Sequence, residues 1–286
     1  MHKVRTTLKF KSLEDYQLLK TLLSIPTVTY KEDKMISFLE NWLTENKFDF
    51  FKDFKNNIYV TKQTTPLEQG QFFPSVVAHM DTVHELDTIN IKEELNFNLQ
   101  KQMKPSLKAY NDEGNPTGIG GDDKCGIFAC LELLKELPNI KVAFFVSEET
   151  GCHGSKFANE KFFKNVGYSI QFDAPGNRMV SEFLMGTRLF EKVSEFNTKT
   201  KKVLDESFVK PEYGSHPYTD VYALKKLFDF SCINIAIGYY NYHTRNEYVV
   251  IEDVYNGIET GKKMIQELGY KKYSYVPEPT FSSIFF

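Results

Sequence analysis

The feature that most limits the fold of this chain is an alternation of short apolar runs with segments of helical period. The runs of strand length are residues 74–78, 141–146, 168–172 and 232–237. The clearest helical segment, residues 122–137, buries apolar residues at spacings of three and four and ends before a proline. Because parallel strands require long crossovers, the pattern predicts an α/β fold with a mostly parallel, mixed central sheet flanked by helices on both faces.

The segments outside this alternation are less regular. Residues 13–46 predict two amphipathic helices with a break at Pro26, and residues 48–54 and 57–61 have the pattern of strands. Residues 84–117 are polar, lack a clear period and contain the turn-rich sequence NDEGNPTG. We expect this stretch to be an excursion of loops and weak edge strands, either on the surface or in the wall of a cleft.

Composition excludes several classes of partner. The chain has 286 residues, of which 41% are hydrophobic, and its 35 basic and 38 acidic side chains give a net charge of −3. This balance offers no footprint for nucleic acid, and no apolar run approaches the roughly 20 residues that cross a membrane. No apolar stretch typical of a secretory signal is present, so we expect a cytoplasmic protein with four reduced, buried cysteines.

Potential metal ligands follow each of the four apolar runs. Open parallel sheets bind ligands beyond the carboxyl ends of their strands, so these side chains are expected to meet at one crevice. A further aspartate opens the buried helix after a glycine-rich turn. The candidates in chain order are His79, Asp81, Asp122, Glu148, Glu149, Asp173 and His243.

The convergence of these groups predicts a metal centre. Taken singly, each has an ordinary explanation, since aspartate is a preferred helix cap and loop carboxylates are commonly solvated. Taken together, carboxylates and imidazoles at one sheet edge require a cation to neutralise them. Imidazole and carboxylate without cysteine suit zinc, with manganese or cobalt as substitutes. The five candidates expected to bind metal are His79, Asp122, Glu149, Asp173 and His243. Five ligands exceed the three of one open zinc site, so two ions that share a carboxylate are expected.

An ordered series of motifs resembles a known family. The segments AHMDTV, GIGGDDKCG, VSEETGCHGS, QFDAPG, GSHPYTD and YHTRNEYV are similar to those of the co-catalytic zinc exopeptidases related to peptidase T, glutamate carboxypeptidase and the aminoacylases. The likeness covers most of the chain and implies a catalytic domain of the zinc-exopeptidase type. It also implies a peptide bond or an acylated amino acid as substrate.

The resemblance assigns a role to each candidate. It implies that His79 and Asp173 bind one zinc, that Glu149 and His243 bind the other, and that Asp122 bridges the two. Asp81 is then the carboxylate that orients His79, and Glu148 is the general base. Adjacent side chains on an extended segment point in opposite directions, which agrees with different roles for Glu148 and Glu149.

One departure from the larger family members bears on domain organisation. Many relatives insert a lid and dimerisation domain after the position of Asp173, whereas here only residues 174–213 intervene. This length is below the roughly 50 residues of an independent domain. We therefore predict a single catalytic domain over residues 1–286 with at most a small flap, and favour a monomer. The missing lid and the likeness to peptidase T favour an aminopeptidase that acts on short peptides.

Other functions stay open from the sequence. A carboxypeptidase or an N-acyl-amino-acid amidohydrolase would use the same metal core, and a non-catalytic relative could keep the fold. A phosphate loop at GNPTGIGG is disfavoured, because the Lys-Ser/Thr pair is missing and two aspartates follow. Secondary candidates are a histidine that could reach the substrate carbonyl, two carboxylates that could support the site and an arginine that could meet a peptide carboxylate: His216, Asp220, Glu247 and Arg245. We expect no role for His84 and His153.

Overall fold

The computed structural model describes residues 12–86, 89–184, 186–215 and 219–277, which form two sheets and the helices around them. The helices are α1 (Leu13–Ser24), α2 (Asp33–Glu45), α3 (Gly121–Glu136), α4 (Glu160–Phe163), α5 (Glu195–Ser207), α6 (Asp220–Leu227) and α7 (Ile251–Leu268). The strands up to the middle of the chain are β1 (Phe50–Lys52), β2 (Ile58–Gln63), β3 (Phe73–His79), β4 (Asn90–Phe97), β5 (Met103–Tyr110) and β6 (Asn139–Phe145). Those that follow are β7 (Val166–Ala174), β8 (Met179–Leu184), β9 (Thr187–Arg188), β10 (Glu212–Ser215), β11 (Ser231–Ala236), β12 (Tyr239–Tyr240) and β13 (Tyr248–Val250).

The main sheet is mixed, with a parallel centre. Its order is β1-β2-β6-β3-β7-β11-β8-β10, with β9 paired to β8. Strands β6, β3, β7 and β11 run parallel to one another. On one side of this group β2 is antiparallel to β6, and on the other side β8 is antiparallel to β11. The predicted α/β class is confirmed, and the four predicted apolar runs correspond to these four central strands.

Helices cover both faces of the central strands. Helix α3 packs on β3, β6 and β7, and α6 packs on β3, β7 and β11. Every residue of β3, β6, β7 and β11 is buried. A strand that is buried on both faces needs apolar residues at consecutive positions, which explains the uninterrupted apolar runs of the sequence.

The excursion at residues 84–117 is more regular than expected. Strands β4 and β5 form an antiparallel hairpin with continuous register from Asn90 opposite Tyr110 to Phe97 opposite Met103. They belong to a second sheet of order β12-β13-β5-β4. The prediction of weak edge strands is wrong for β5, because β13, more than a hundred residues later in the chain, covers its other edge.

The segment at residues 174–213 extends the main sheet. The described part forms β8, β9, α5 and the start of β10, and β8 pairs with both β11 and β10. The sequence predicted at most a small flap here, and the strands among these described residues pair with the edge of the main sheet. The four cysteines are unpaired and buried, as expected. In the described ranges, no helix has the length and apolar character needed to cross a membrane.

Candidate metal centre

Two neighbouring strands deliver the first pair of candidates. His79 is the last residue of β3, and Asp173 lies near the end of β7, which pairs with β3. Both side chains are buried, and His79 Nε2 lies 3.8 Å from Asp173 Oδ1. The parallel register therefore brings an imidazole and a carboxylate together at the carboxyl edge of the sheet.

Asp122 lies between two histidines. Its Oδ1 is 3.1 Å from His79 Nε2, and its Oδ2 is 3.2 Å from His243 Nε2. Asp122 stands in the first turn of α3, where its φ and ψ are not helical, and His243 lies in the turn between β12 and β13. One carboxylate thus faces one imidazole from each of the two sheets, which is the arrangement of a bridging ligand.

The two adjacent glutamates face different partners. After β6, Ser147 takes a positive φ of 54°, and the chain turns into Glu148 and Glu149. Glu149 Oε2 lies 3.0 Å from His243 Nε2. Glu148 Oε2 lies 3.9 Å from His79 Nε2, and its Oε1 accepts a hydrogen bond of 3.4 Å from the Cys152 thiol. The two carboxylates therefore enter the crevice beside different histidines.

Asp81 contacts more than the histidine it was expected to orient. His79 Nδ1 lies 3.4 Å from Asp81 Oδ1, but closer, at 3.0 Å, to the Asp81 carbonyl oxygen. The Asp81 carboxylate accepts hydrogen bonds from the backbone amides of Glu148 at 2.8 Å and Glu149 at 3.2 Å. It also accepts one from the Thr29 hydroxyl at 2.8 Å. Asp81 thus fixes the segment that carries both glutamates as well as the ring of His79.

The pKa values show how strongly these groups interact. Burial and the charge of Asp122 raise the pKa of Glu149 and of Asp173, each to about 7. Hydrogen bonds with Asp122 and Glu149 raise the pKa of His243 to about 10. Burial disfavours a charged His79, but hydrogen bonds with Asp122 and Asp173 outweigh it and hold the pKa of His79 well above its usual value. These opposite shifts show that the carboxylates and imidazoles are close enough to change one another's charge.

The donor set fits a metal. Ligand atoms of His79, Asp122 and Glu149 lie within 4.8 Å of one another, and the same holds for His79, Asp123 and Asp173. Glu149 Oε1 is buried and has no hydrogen-bond partner among the described residues. Imidazole nitrogens and carboxylate oxygens are ligands of zinc and similar ions, and a cation would compensate the charge of the carboxylates that meet here.

Sequence reasoning missed two buried groups at the site. Asp123 accepts hydrogen bonds from the amides of His79 at 3.3 Å and Gly126 at 3.0 Å, so both of its oxygens already have backbone partners. The Tyr239 hydroxyl donates to Asp173 Oδ1 at 3.2 Å. The paired aspartates of GIGGDDK were a visible signal for Asp123, whereas an apolar strand residue such as Tyr239 gave none.

The secondary candidates differ in their surroundings. Asp220 is fully buried and accepts a hydrogen bond from Gln171 at 3.3 Å. His84 Nε2 lies 2.8 Å from Glu247 Oε2, a contact that no sequence pattern predicted. Arg245 is exposed on a cleft of 720 Å³, which His84 also lines.

His153 is exposed and contacts the ring of Tyr30. The prediction for His216 falls outside the described residues.

The sequence matches a known family over most of its length. Residues 58–253 match the model of peptidase family M28, and this range contains all of the candidate ligands. The chain belongs to peptidase family M28. The resemblance to zinc exopeptidases is therefore confirmed at the level of the family.

Curated relatives of this M28 chain include peptidase T. Peptidase T of Halothermothrix orenii is 27% identical, in an alignment that covers 40% of this chain and 37% of that protein. Peptidase T of Parabacteroides distasonis is 29% identical, with 40% of this chain and 35% of that protein covered. The matched segment thus spans little more than a third of the length of these relatives.

The fold of this M28 chain is also that of solved peptidases. The crystal structure of aminopeptidase PepT from Bacillus cereus has a TM-score of 0.71 at 15% identity, and the alignment covers 89% of this chain and 98% of that one. At such low identity the likeness establishes the fold alone, and it confirms the mixed central sheet flanked by helices.

Proposed function

We propose that this M28 chain is a two-zinc aminopeptidase that removes residues from the N-terminal end of short peptides. The observation that carries the proposal is the position of Asp122, whose two carboxylate oxygens each face a different histidine at 3.1 and 3.2 Å. The preference for an aminopeptidase is supported by the similarity to peptidase T and to the PepT fold.

The proposed ligands divide into two sets that share one residue. His79 and Asp173 would hold one ion, Glu149 and His243 would hold the other, and Asp122 would be shared by the two. When bound, the ions supply Lewis acidity, which activates water and polarises the scissile carbonyl. A fourth carboxylate at the crevice, that of Glu148, belongs to neither set.

Glu148 acts as the general base in this proposal. Its carboxylate enters the crevice beside His79 and is buried, and burial together with the charge of Asp173 raises its pKa well above the usual value, against the opposing charge of His79. A glutamate there takes a proton from the attacking water and passes it to the leaving amine. The Cys152 thiol occupies its other oxygen, which leaves Oε2 for the proton.

The first experiment separates chemistry from metal binding. Glu148→Gln should keep two zinc ions per chain, measured by elemental analysis, and lose about 10²- to 10⁴-fold in kcat, because the proton acceptor is gone. Glu68→Gln, at an exposed position, serves as the control and should match the unaltered protein. Full activity of a metal-loaded Glu148→Gln protein would contradict the assignment of the base.

The second experiment defines the substrate. An aminopeptidase hydrolyses peptides that have a free N-terminus and an amidated C-terminus, and fails on N-acetylated ones. The reverse preference would identify a carboxypeptidase, and release of free amino acids from N-acylated substrates would identify a deacylase. Bound metal without hydrolysis of any of these would identify a non-catalytic relative. The expected monomer stays a prediction, which light scattering tests.

A further inference from the structure

Glu247 is a buried carboxylate outside the proposed ligand set. Its side chain has no exposed surface, yet both of its oxygens have partners. Oε2 accepts a hydrogen bond of 2.9 Å from the backbone amide of Gly120 and lies 2.8 Å from His84 Nε2. Oε1 accepts one of 3.1 Å from the backbone amide of Asp122. Hydrogen bonds to an ionised carboxylate are about twice as strong as neutral ones.

Glycines allow these close approaches. A Cβ at Gly121 would lie 2.7 Å from Tyr239 Cβ and 3.3 Å from Glu247 Oε1, so any larger residue would push the loop away from the carboxylate. A Cβ at Gly118 would overlap the ring of His84, at 2.2 Å from its Cε1. The glycines of GIGG thus leave the space that the side chains of Glu247 and His84 occupy.

The Glu247 carboxylate fixes two ligand-bearing segments relative to each other. It holds the backbone amide of Asp122, and the direction of the Asp122 side chain depends on that backbone. Glu247 itself closes the turn that carries His243, and a second tie, from the Gly118 amide to the Arg245 carbonyl oxygen at 3.1 Å, joins the same two segments. The segments that carry Asp122 and His243 are therefore joined by these backbone contacts as well as by the 3.2 Å contact between the two side chains.

His84 connects this arrangement to the cleft. Its side chain is 13% exposed and lines the 720 Å³ cleft, while its Nε2 contacts Glu247. The Glu247 carboxylate thus contacts both His84 in the wall of the cleft and the loop that carries Asp122.

We propose that Glu247 is a positioning residue, which together with His84 holds Asp122 between His79 and His243 and so sets the affinity for metal. The proposal rests on the proposed function only in taking Asp122 as a metal ligand. Residues that orient metal ligands through a hydrogen bond typically account for about 10- to 100-fold in metal affinity.

The test is zinc affinity, measured by competition with a chelator, so that it does not depend on activity. Glu247→Gln replaces one acceptor oxygen by an amide that faces a donor, and should weaken zinc binding about 10- to 100-fold. Where turnover is measured, kcat should fall more than KM rises. Glu252→Gln on the exposed surface of α7 is the matched control and should bind zinc as the unaltered protein does.

A second pair of variants keeps the proposal testable if Glu247→Gln fails to fold. His84→Ala removes a partner of Glu247 without touching the buried acceptor, and should weaken zinc binding in the same direction. His84→Gln restores a donor and should recover part of the affinity. Unchanged zinc affinity in these variants, or a loss of metal-free stability alone, would overturn the positioning role. Zinc binding without peptide hydrolysis by the unaltered protein would contradict the proposed function and leave this test in place.

Discussion

At the scale of single residues, the site depends on carboxylates that bind backbone as much as on those that face the crevice. The Asp81 carboxylate accepts hydrogen bonds from the backbone amides of Glu148 and Glu149, and the Glu247 carboxylate accepts one from the backbone amide of Asp122. Each of these acceptors is fully buried. These carboxylates therefore orient the side chains at the crevice indirectly, because they hold the backbone from which those side chains extend.

Asp81→Asn tests this dependence. One acceptor oxygen becomes an amide that faces the Glu148 or Glu149 amide, so the segment that carries both glutamates should shift. We expect about a 10- to 100-fold loss of kcat with the circular dichroism spectrum unchanged. Asp205→Asn, at an exposed position of α5, is the control, and equal activity of the two variants would refute the role of Asp81.

Lys141 gives a prediction for stability against pH. It is buried, its Nζ donates to Asn165 Oδ1 at 2.6 Å and to the Phe162 carbonyl oxygen, and burial lowers its pKa from 10.5 to about 8. Between these values the unfolded chain keeps a proton that the folded chain has released. The free energy of unfolding therefore gains a contribution that rises with pH from about 8 to 10.5, by about 1.4 kcal/mol per unit of pKa difference.

Urea unfolding at a series of pH values measures this contribution. Lys141→Met lacks it, so the stability of the unaltered protein should rise relative to this variant across the window. Lys164→Met, at an exposed position, should follow the unaltered protein. Parallel curves for the Lys141→Met and unaltered proteins would show that Lys141 keeps its proton when folded.

At the scale of elements, α7 approaches the end of β11 closely at Gly257. A Cβ at Gly257 would lie 2.7 Å from Ile237 Cδ1 and 2.8 Å from the Ala236 carbonyl oxygen, and a backbone oxygen cannot rotate away. Overpacking of this kind costs about 1–3 kcal/mol, and alanine recovers about 1 kcal/mol through helix propensity.

Gly257→Ala should therefore lower the free energy of unfolding by up to about 2 kcal/mol in a denaturant titration. Asn256→Ala, one position away on the exposed face of α7, gains helix propensity without a clash and should be neutral or slightly stabilising. Equal stability of the two variants would mean that α7 can move away from the strand at no cost.

The elements that could be predicted from sequence are those that are surrounded by the core on both faces. The four central strands are buried on both faces, so burial alone produced their apolar runs, and the residues that follow them meet because parallel strands end at one edge. The hairpin of β4 and β5 could not be predicted in this way. Its burial comes from β13, and no local pattern records a pairing with a strand so distant in the chain.

The same limit applied to the site. His79 and Asp173 follow predicted strands, so their positions were predictable, whereas the partners of Glu247 depend on how the two sheets meet. His84 carried no signal because its contact is with a residue more than half the chain away.

At the scale of the whole molecule, the proposed ligands come from both sheets. His79 and Asp173 extend from the main sheet, and His243 lies in a turn of the second sheet. The first and the last of these residues are separated by more than half of the chain. No early fragment of the chain can hold the complete set, and contacts of such long range form slowly during folding. Metal added to a refolding protein should then leave the folding rate unchanged and slow unfolding instead. The ion would stabilise the native state after folding is complete, and would not help to form the folding nucleus.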